Sequence, residues 1–154
     1  MHAIDVAVTQ IGIQEETGNN DGIPAQRYMR GNKLAWCAGF VLYCFEVSDD
    51  PNIHESVRDF WRYTAVWEFE ERMKARGLWF GWAIVPQPND LIFFNNRGKS
   101  DHANSKLDRH MAIVEKVDGA WVHTIEGNLG NAVKRSKHKL SSNRITGYAR
   151  VCAI

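Results

Sequence analysis

The stretch Trp36-Cys37-Ala38-Gly39-Phe40-Val41-Leu42-Tyr43-Cys44-Phe45-Glu46-Val47 sets Cys37, Phe40, Val41, Cys44 and Phe45 at the i, i+3, i+4, i+7, i+8 spacing of a helix with one buried stripe. It predicts the central core helix over 36–47. The polar run Gly31-Asn32-Lys33 ahead of it brings the helix start close to Cys37. Outward toward the N-terminus, Ile4, Val8 and Ile11 share one helical face and the pattern stops at Gly12, which predicts a first helix over 4–11. Gly18-Asn19-Asn20-Asp21-Gly22 is a polar turn, and Pro24 opens a short helix reaching about Met29. Two charged helical stretches follow, over 51–62 and 64–76, the second closing at Gly77.

Beyond Pro86 the apolar period changes from helical to alternating, with strands expected over 90–94, 110–117, 120–125, 132–135 and 145–151. Helices first and strands second give an α+β domain, its central helix packed on an antiparallel sheet of about five strands. No repeat or linker divides the chain, so residues 1–154 are read as one domain. The polar segment 95–109 is longer than ordinary hairpin connections, which suggests a functional loop feeding into His110.

Composition removes several classes of function. With 154 residues, of which 44% are apolar and 24% charged, the chain can bury one core unaided. Lys and Arg (19) nearly cancel Asp and Glu (18), so no overall basic field draws it to nucleic acid or a membrane surface, and a monomer is expected. The first residues lack the pattern of a secretory signal, and no apolar window reaches the roughly 18 residues of a membrane span. Synthesis in the cytoplasm is therefore expected, with any action outside it following lysis or delivery by another machine.

Three cysteines without a C-x-x-C pair exclude a disulfide framework and a structural zinc site. On a helix Cys37 and Cys44 stand about 10.5 Å apart, beyond the roughly 7 Å that a disulfide tolerates. Cys44 and Cys152 read as small buried hydrophobes. Cys37 differs because the free N–H groups and dipole of a helix start stabilise a thiolate, and because Ala38 and Gly39 leave room for a carbonyl to approach.

Of six histidines, His110 opens the apolar strand Met111-Ala112-Ile113-Val114 and is placed to serve as base. His2, His54, His102 and His138 read as solvated surface residues and His123 as a packing residue. The hairpin Lys116-Val117-Asp118-Gly119-Ala120 allows two registers. A two-residue Asp-Gly loop sets His110 opposite Gly127. A three-residue loop with Gly119 left-handed pairs Lys116 with Ala120 and His110 with Glu126, and is preferred because it puts Glu126 and Asn128 on the face of His110. A carboxylate there would orient the imidazole.

These residues, in this order, resemble the CHAP domain, the cysteine- and histidine-dependent amidohydrolase/peptidase family of peptidoglycan hydrolases in the papain-like superfamily. The likeness runs through Gly12, Glu15 and Gly18-Asn19-Asn20, then Ala35-Trp36-Cys37-Ala38-Gly39-Phe40-Val41, Pro88-Asn89-Asp90-Leu91-Ile92-Phe93-Phe94, His110-Met111-Ala112-Ile113-Val114, Ile125-Glu126-Gly127-Asn128 and Gly147-Tyr148-Ala149-Arg150-Val151. It implies Cys37 as nucleophile, His110 as general base, Glu126 as orienting residue and Asn128 as a fourth polar member, acting on a peptide of peptidoglycan. Trp36 and Asn20 are expected at the substrate. Asn89 stands where the family usually has glycine, and asparagine tolerates the same left-handed turn. Residues 49–81 look longer and richer in tryptophan than the family needs.

No cofactor is expected, and the polar residues Asn19-Asn20-Asp21 fall short of a calcium loop, so no metal is expected either. The basic run Lys134-Arg135-Ser136-Lys137-His138-Lys139 reads as a solvated hairpin end. Two other readings remain open at this stage: a papain-like amidase on a small cytoplasmic amide, and a non-catalytic wall-binding or structural module of a phage particle.

Overall fold

The computed structural model describes residues 1–22, 27–29, 36–53, 65–96 and 108–152. Helix α1 spans Ala3–Gln10, α2 Cys37–Ser48 and α3 Val66–Ala75. Strands β1 (Trp79–Gly81), β2 (Leu91–Asn95), β3 (Arg109–Asp118), β4 (Trp121–Leu129), β5 (Ala132–Lys139) and β6 (Ile145–Ala149) form one antiparallel sheet in the order β1-β6-β2-β3-β4-β5. The fold is α+β, as the change of period implies. The sheet has six strands rather than about five, because β1 is only three residues long and carries no alternation to read. Of the expected helix 51–62, residues 51–53 form a turn and a bridge instead, and the rest of it, most of the short helix after Pro24, the centre of loop 95–109, and His54, Trp61 and His102 lie outside the described residues.

Helix α2 is the centre of the core. Phe40, Val41, Cys44 and Phe45 are buried together with Leu91, Phe93, Met111, Ile113 and Ile125 from one face of the sheet. Two glycines allow close approach to α2, one from the sheet and one from the segment at Tyr28 and Met29. A Cβ on Gly127 of β4 would stand 2.5 Å from Phe40 Cβ, and one on Gly39 would meet the Tyr28 carbonyl and the Met29 sulfur. The glycine of β4 thus lets the strand that carries Glu126 lie directly on α2.

The second face buries Ile92, Phe94, Ala112, Val114, Val122, Ile145 and Tyr148. Phe94 on β2 reaches the ring of His138 on β5 with centroids 4.6 Å apart, although two strands lie between them. Adjacent strands are about 4.8 Å apart, so a flat sheet would separate these residues by roughly 14 Å. The sheet is therefore curled about its second face.

The β3–β4 register differs from the expected one. Asp118 pairs with Trp121, leaving Gly119 and Ala120 as a two-residue loop, with Gly119 left-handed at φ 60°. A bulge then shifts the pairing from Lys116↔His123 to Val114↔Thr124. The extra residue, Glu115, turns its carboxylate to Arg135 at 2.8 and 2.9 Å. Continued from Ile113↔Ile125, this register sets His110 opposite Asn128 rather than Glu126. Even numbers on both strands still share a face, so Glu126 becomes the diagonal neighbour of His110.

Candidate active site

Cys37 is the first residue of α2, with Trp36 as N-cap. The Phe40 N–H closes the first helical turn on the Trp36 carbonyl at 2.8 Å, so the earlier N–H groups of the turn have no intrahelical partner. His110, the second residue of β3, hydrogen-bonds the Cys37 side chain with one ring nitrogen. Its Nε2 lies 2.9 Å from Glu126 Oε1. An ionised carboxylate only accepts, so Nε2 carries the proton toward Glu126 and Nδ1 faces the sulfur.

The other oxygen of Glu126 is also held. Oε2 accepts from His138 Nε2 at 2.6 Å and from Thr124 Oγ1 at 2.5 Å. Glu126 is 1% exposed, and a carboxylate so buried is tolerable because three donors surround it. Phe94 packs against both imidazoles, 5.8 Å from His110 and 4.6 Å from His138 between ring centroids. His138 is therefore no solvated hairpin residue. The expected strand stopped at Arg135, whereas β5 continues to Lys139 and the curl of the sheet carries His138 onto Glu126. Neither His138 nor Thr124 is singled out by sequence; the alternation Ser136, His138 against exposed Lys137 and Lys139 is the only trace.

The electrostatics favour an ion pair. Burial opposes a thiolate at Cys37, but the hydrogen bond and charge of His110, with backbone hydrogen bonds at Met111 and Ala38, outweigh it and lower the thiol pKa. Burial also opposes charge on His110, yet its hydrogen bonds to Cys37 and Glu126 and their negative charges push its pKa up to about 10. For Glu126 the bonds to His110 and His138 overcome the desolvation penalty and hold the carboxyl well below the usual range. The other cysteines behave oppositely: burial raises Cys44 beyond the range of physiological titration, and burial with the nearby Asp50 raises Cys152 to about 11.

The remaining expected site residues are less close. Asn128 is left-handed at φ 58°, and among the described residues its side chain makes no hydrogen bond to the Cys37 group. Asn20, also left-handed at φ 58°, makes no such bond among the described residues either. Beside it the loop is tied internally, with Asp21 accepting from the Thr17 N–H at 2.8 Å. Trp36 corrects an expectation. It is fully buried, donates its indole N–H to Glu15 at 2.7 Å and stacks on Tyr28, so it supports the helix start and offers no face to a substrate. His2 is likewise paired, with Asp50. Asn89 keeps the left-handed turn at φ 75° and caps α1 through Oδ1 on the Ile4 N–H at 2.8 Å.

A cysteine at the start of a core helix, facing a histidine on an antiparallel sheet, defines the papain-like class. The sequence model of the CHAP domain matches residues 29–128, and the chain belongs to that family of amidohydrolases and peptidases. Among solved structures it is similar to the crystal structure of Ly7917 (TM-score 0.60, 14% identity, covering 98% of this chain and 61% of that one). It is also similar to Ly7917 with the hydrolyzing product of MDP (TM-score 0.58, 15% identity, covering 97% and 62%). The chain thus spans about three-fifths of the length of those proteins, and at such identity the likeness concerns the fold. No curated protein matches the sequence. No helix among the described residues is long and apolar enough to cross a membrane.

Proposed function

We propose that the chain is a cysteine hydrolase that cuts an amide bond in the peptide part of peptidoglycan, with Cys37 as nucleophile, His110 as acid and base, and Glu126 as orienting residue. The contact of Cys37 with a histidine whose far nitrogen is held by a buried carboxylate carries this reading. The Cys37 thiolate attacks the amide carbon, and the oxyanion that forms accepts from free N–H groups at the start of α2. The His110 imidazolium gives its proton to the departing amine, leaving an acyl thioester on Cys37. Water, deprotonated by His110, then attacks the thioester to release the acid and restore the thiolate and imidazolium pair. Asn128, next to Glu126 on the same face, and Asn20 are the polar residues proposed to meet substrate.

Family membership and the neighbour crystallised with a product of MDP support a wall-derived substrate over a small cytoplasmic amide. The buried, poised thiol supports an enzyme over a purely structural module. Purified protein and its Cys37→Ala variant, incubated with sacculi of several wall chemotypes, test this. Mass spectrometry should show fragments with new amine and carboxyl ends from the active protein alone. Release by both proteins, or by neither from any chemotype, would refute the proposal.

A further inference from the structure

At the far end of α2 three side chains from separated segments converge. His2 is the N-cap of α1, Asp50 follows the left-handed Asp49 that ends α2, and Cys152 lies just beyond β6 in a backbone bridge to Ile53. His2 Nδ1 stands 2.7 Å and Cys152 Sγ 3.4 Å from Asp50 Oδ2, and the three donor atoms all lie within 4.8 Å of one another. α2 has 12 residues, so its axis separates Cys37 from this end by roughly 17 Å. The cluster is therefore distinct from the nucleophile.

Its chemistry is that of a metal-ligand set. Asp50 is 4% exposed, and a carboxylate so buried calls for positive charge nearby. Among the described residues its partners are the His2 ring, the Cys152 thiol and the Asn52 N–H, which holds Oδ1 at 2.9 Å; no Lys or Arg is one of them. That backbone bond fixes the carboxylate, much as outer partners fix metal ligands. The His2 backbone is fixed in turn by Asp5 at 2.8 Å. Cys152 is buried, whereas the His2 side chain is 57% exposed and gives an ion access from solvent.

We propose that His2, Asp50 and Cys152 form a binding site for a zinc-type divalent cation, with a fourth position open to solvent. One nitrogen, one oxygen and one sulfur suit a borderline ion, whereas calcium and magnesium select oxygen alone. On binding, the Cys152 S–H releases its proton to solvent as the sulfur–metal bond forms, and neutral His2 and ionised Asp50 donate lone pairs. Thiolate and carboxylate together neutralise the two positive charges. Bonds of about 2.0–2.3 Å would draw the donor atoms to roughly 3.3–3.7 Å apart, a small rearrangement of the present cluster. The ion would join the start of α1, the end of α2 and the segment after β6, and so act as a clip on the fold.

Cobalt(II) titration of untagged protein tests the proposal, in a Cys37→Ala background so that the active-site thiol cannot contribute. A thiolate-to-cobalt charge-transfer band in the near ultraviolet should saturate at one equivalent, with release of one proton. Adding Cys152→Ser should abolish the band. His2→Gln, an exposed change that leaves the core alone, should weaken binding by at least about tenfold. Zinc should displace the cobalt and raise Tm, and Cys152→Ser should cancel that rise. Absence of the band in Cys37→Ala, or a band of equal strength after Cys152→Ser, would overturn the proposal.

Discussion

His138 Nε2 lies 2.6 Å from Glu126 Oε2, while His110 Nε2 lies 2.9 Å from the other oxygen of the same carboxylate. Two imidazoles thus share one buried anion, and of the two His110 touches Cys37. In the proposed mechanism this makes His138 a positioning residue: it fixes the carboxylate that in turn fixes His110. One charge-assisted hydrogen bond is worth about 1.5–3 kcal/mol, so His138→Ala should lower kcat by about 10- to 100-fold with little change in KM. His138→Gln, which can still donate, should recover part of the loss and return the pH profile toward that of the parent. A His138→Ala enzyme with unchanged kcat and pH profile would show that the contact is structural only.

Glu126→Gln keeps the shape of the carboxylate but removes its charge. The His110 imidazolium would lose its main stabilising neighbour apart from Cys37, and kcat/KM should fall by about 10²–10⁴-fold, the range seen when the orienting acid of a nucleophile–base pair is neutralised. Steady-state kinetics on a soluble wall peptide would measure this. A loss smaller than that of His138→Ala would contradict the assigned order of roles.

The same carboxylate should dominate acid stability. Its folded pKa is depressed below the ordinary 4.5, so its contribution is fully present above about pH 4.5 and is lost as pH falls through the lower folded value. Denaturant unfolding followed from pH 7 to pH 3 should show stability declining in the acid limb. In Glu126→Gln, which starts lower, that decline should be shallower. Parallel curves for the two proteins would mean that Glu126 is not the group being titrated.

Cys37 should react selectively. With its thiol pKa lowered, Cys37 should keep reacting with iodoacetamide below pH 8, where an ordinary thiol of pKa about 8.5 slows by nearly tenfold per pH unit. Cys44 and Cys152, buried and with raised pKa values, should remain unmodified in the native protein. Peptide mapping after a short pulse would show it. Cys37 labelling that falls steeply below pH 8 would contradict a preformed thiolate.

Gly127→Ala tests how the strand is seated on the helix. A Cβ there would stand 2.5 Å from Phe40 Cβ, and overpacking of this kind costs about 1–3 kcal/mol. The variant should unfold at lower denaturant and, because Glu126 precedes the glycine, lose activity beyond its loss of stability. Phe40→Leu in the same chain should restore part of both.

What could be read beforehand follows the ranges over which each signal acts. The stripe Cys37, Phe40, Val41, Cys44 and Phe45 is local, and it gave the core helix with its cysteine at the start. The period of two gave the face shared by His110 and Glu126. That parity survived a wrong register because the bulge at Glu115 and the Gly119-Ala120 turn together displaced the pairing by two residues. Residue type announces neither the bulge nor the length of β5. The curl of the sheet is a property of all its strands together, and it alone brings His138 from a basic run to Glu126. Trp36 misled for a related reason: adjacency to Cys37 in sequence says nothing about direction, and at an N-cap the side chain turned into the core, onto Glu15 and Tyr28.

The central claim is that Cys37 becomes acylated during turnover, and intact-protein mass spectrometry of a rapidly acid-quenched reaction with a wall peptide measures it directly. The expected result is a mass increase equal to the acyl half of the substrate, located on the Cys37 peptide, labile to hydroxylamine and absent from Cys37→Ala. Continued product release by Cys37→Ala would contradict it, as would an acyl group found on any other residue.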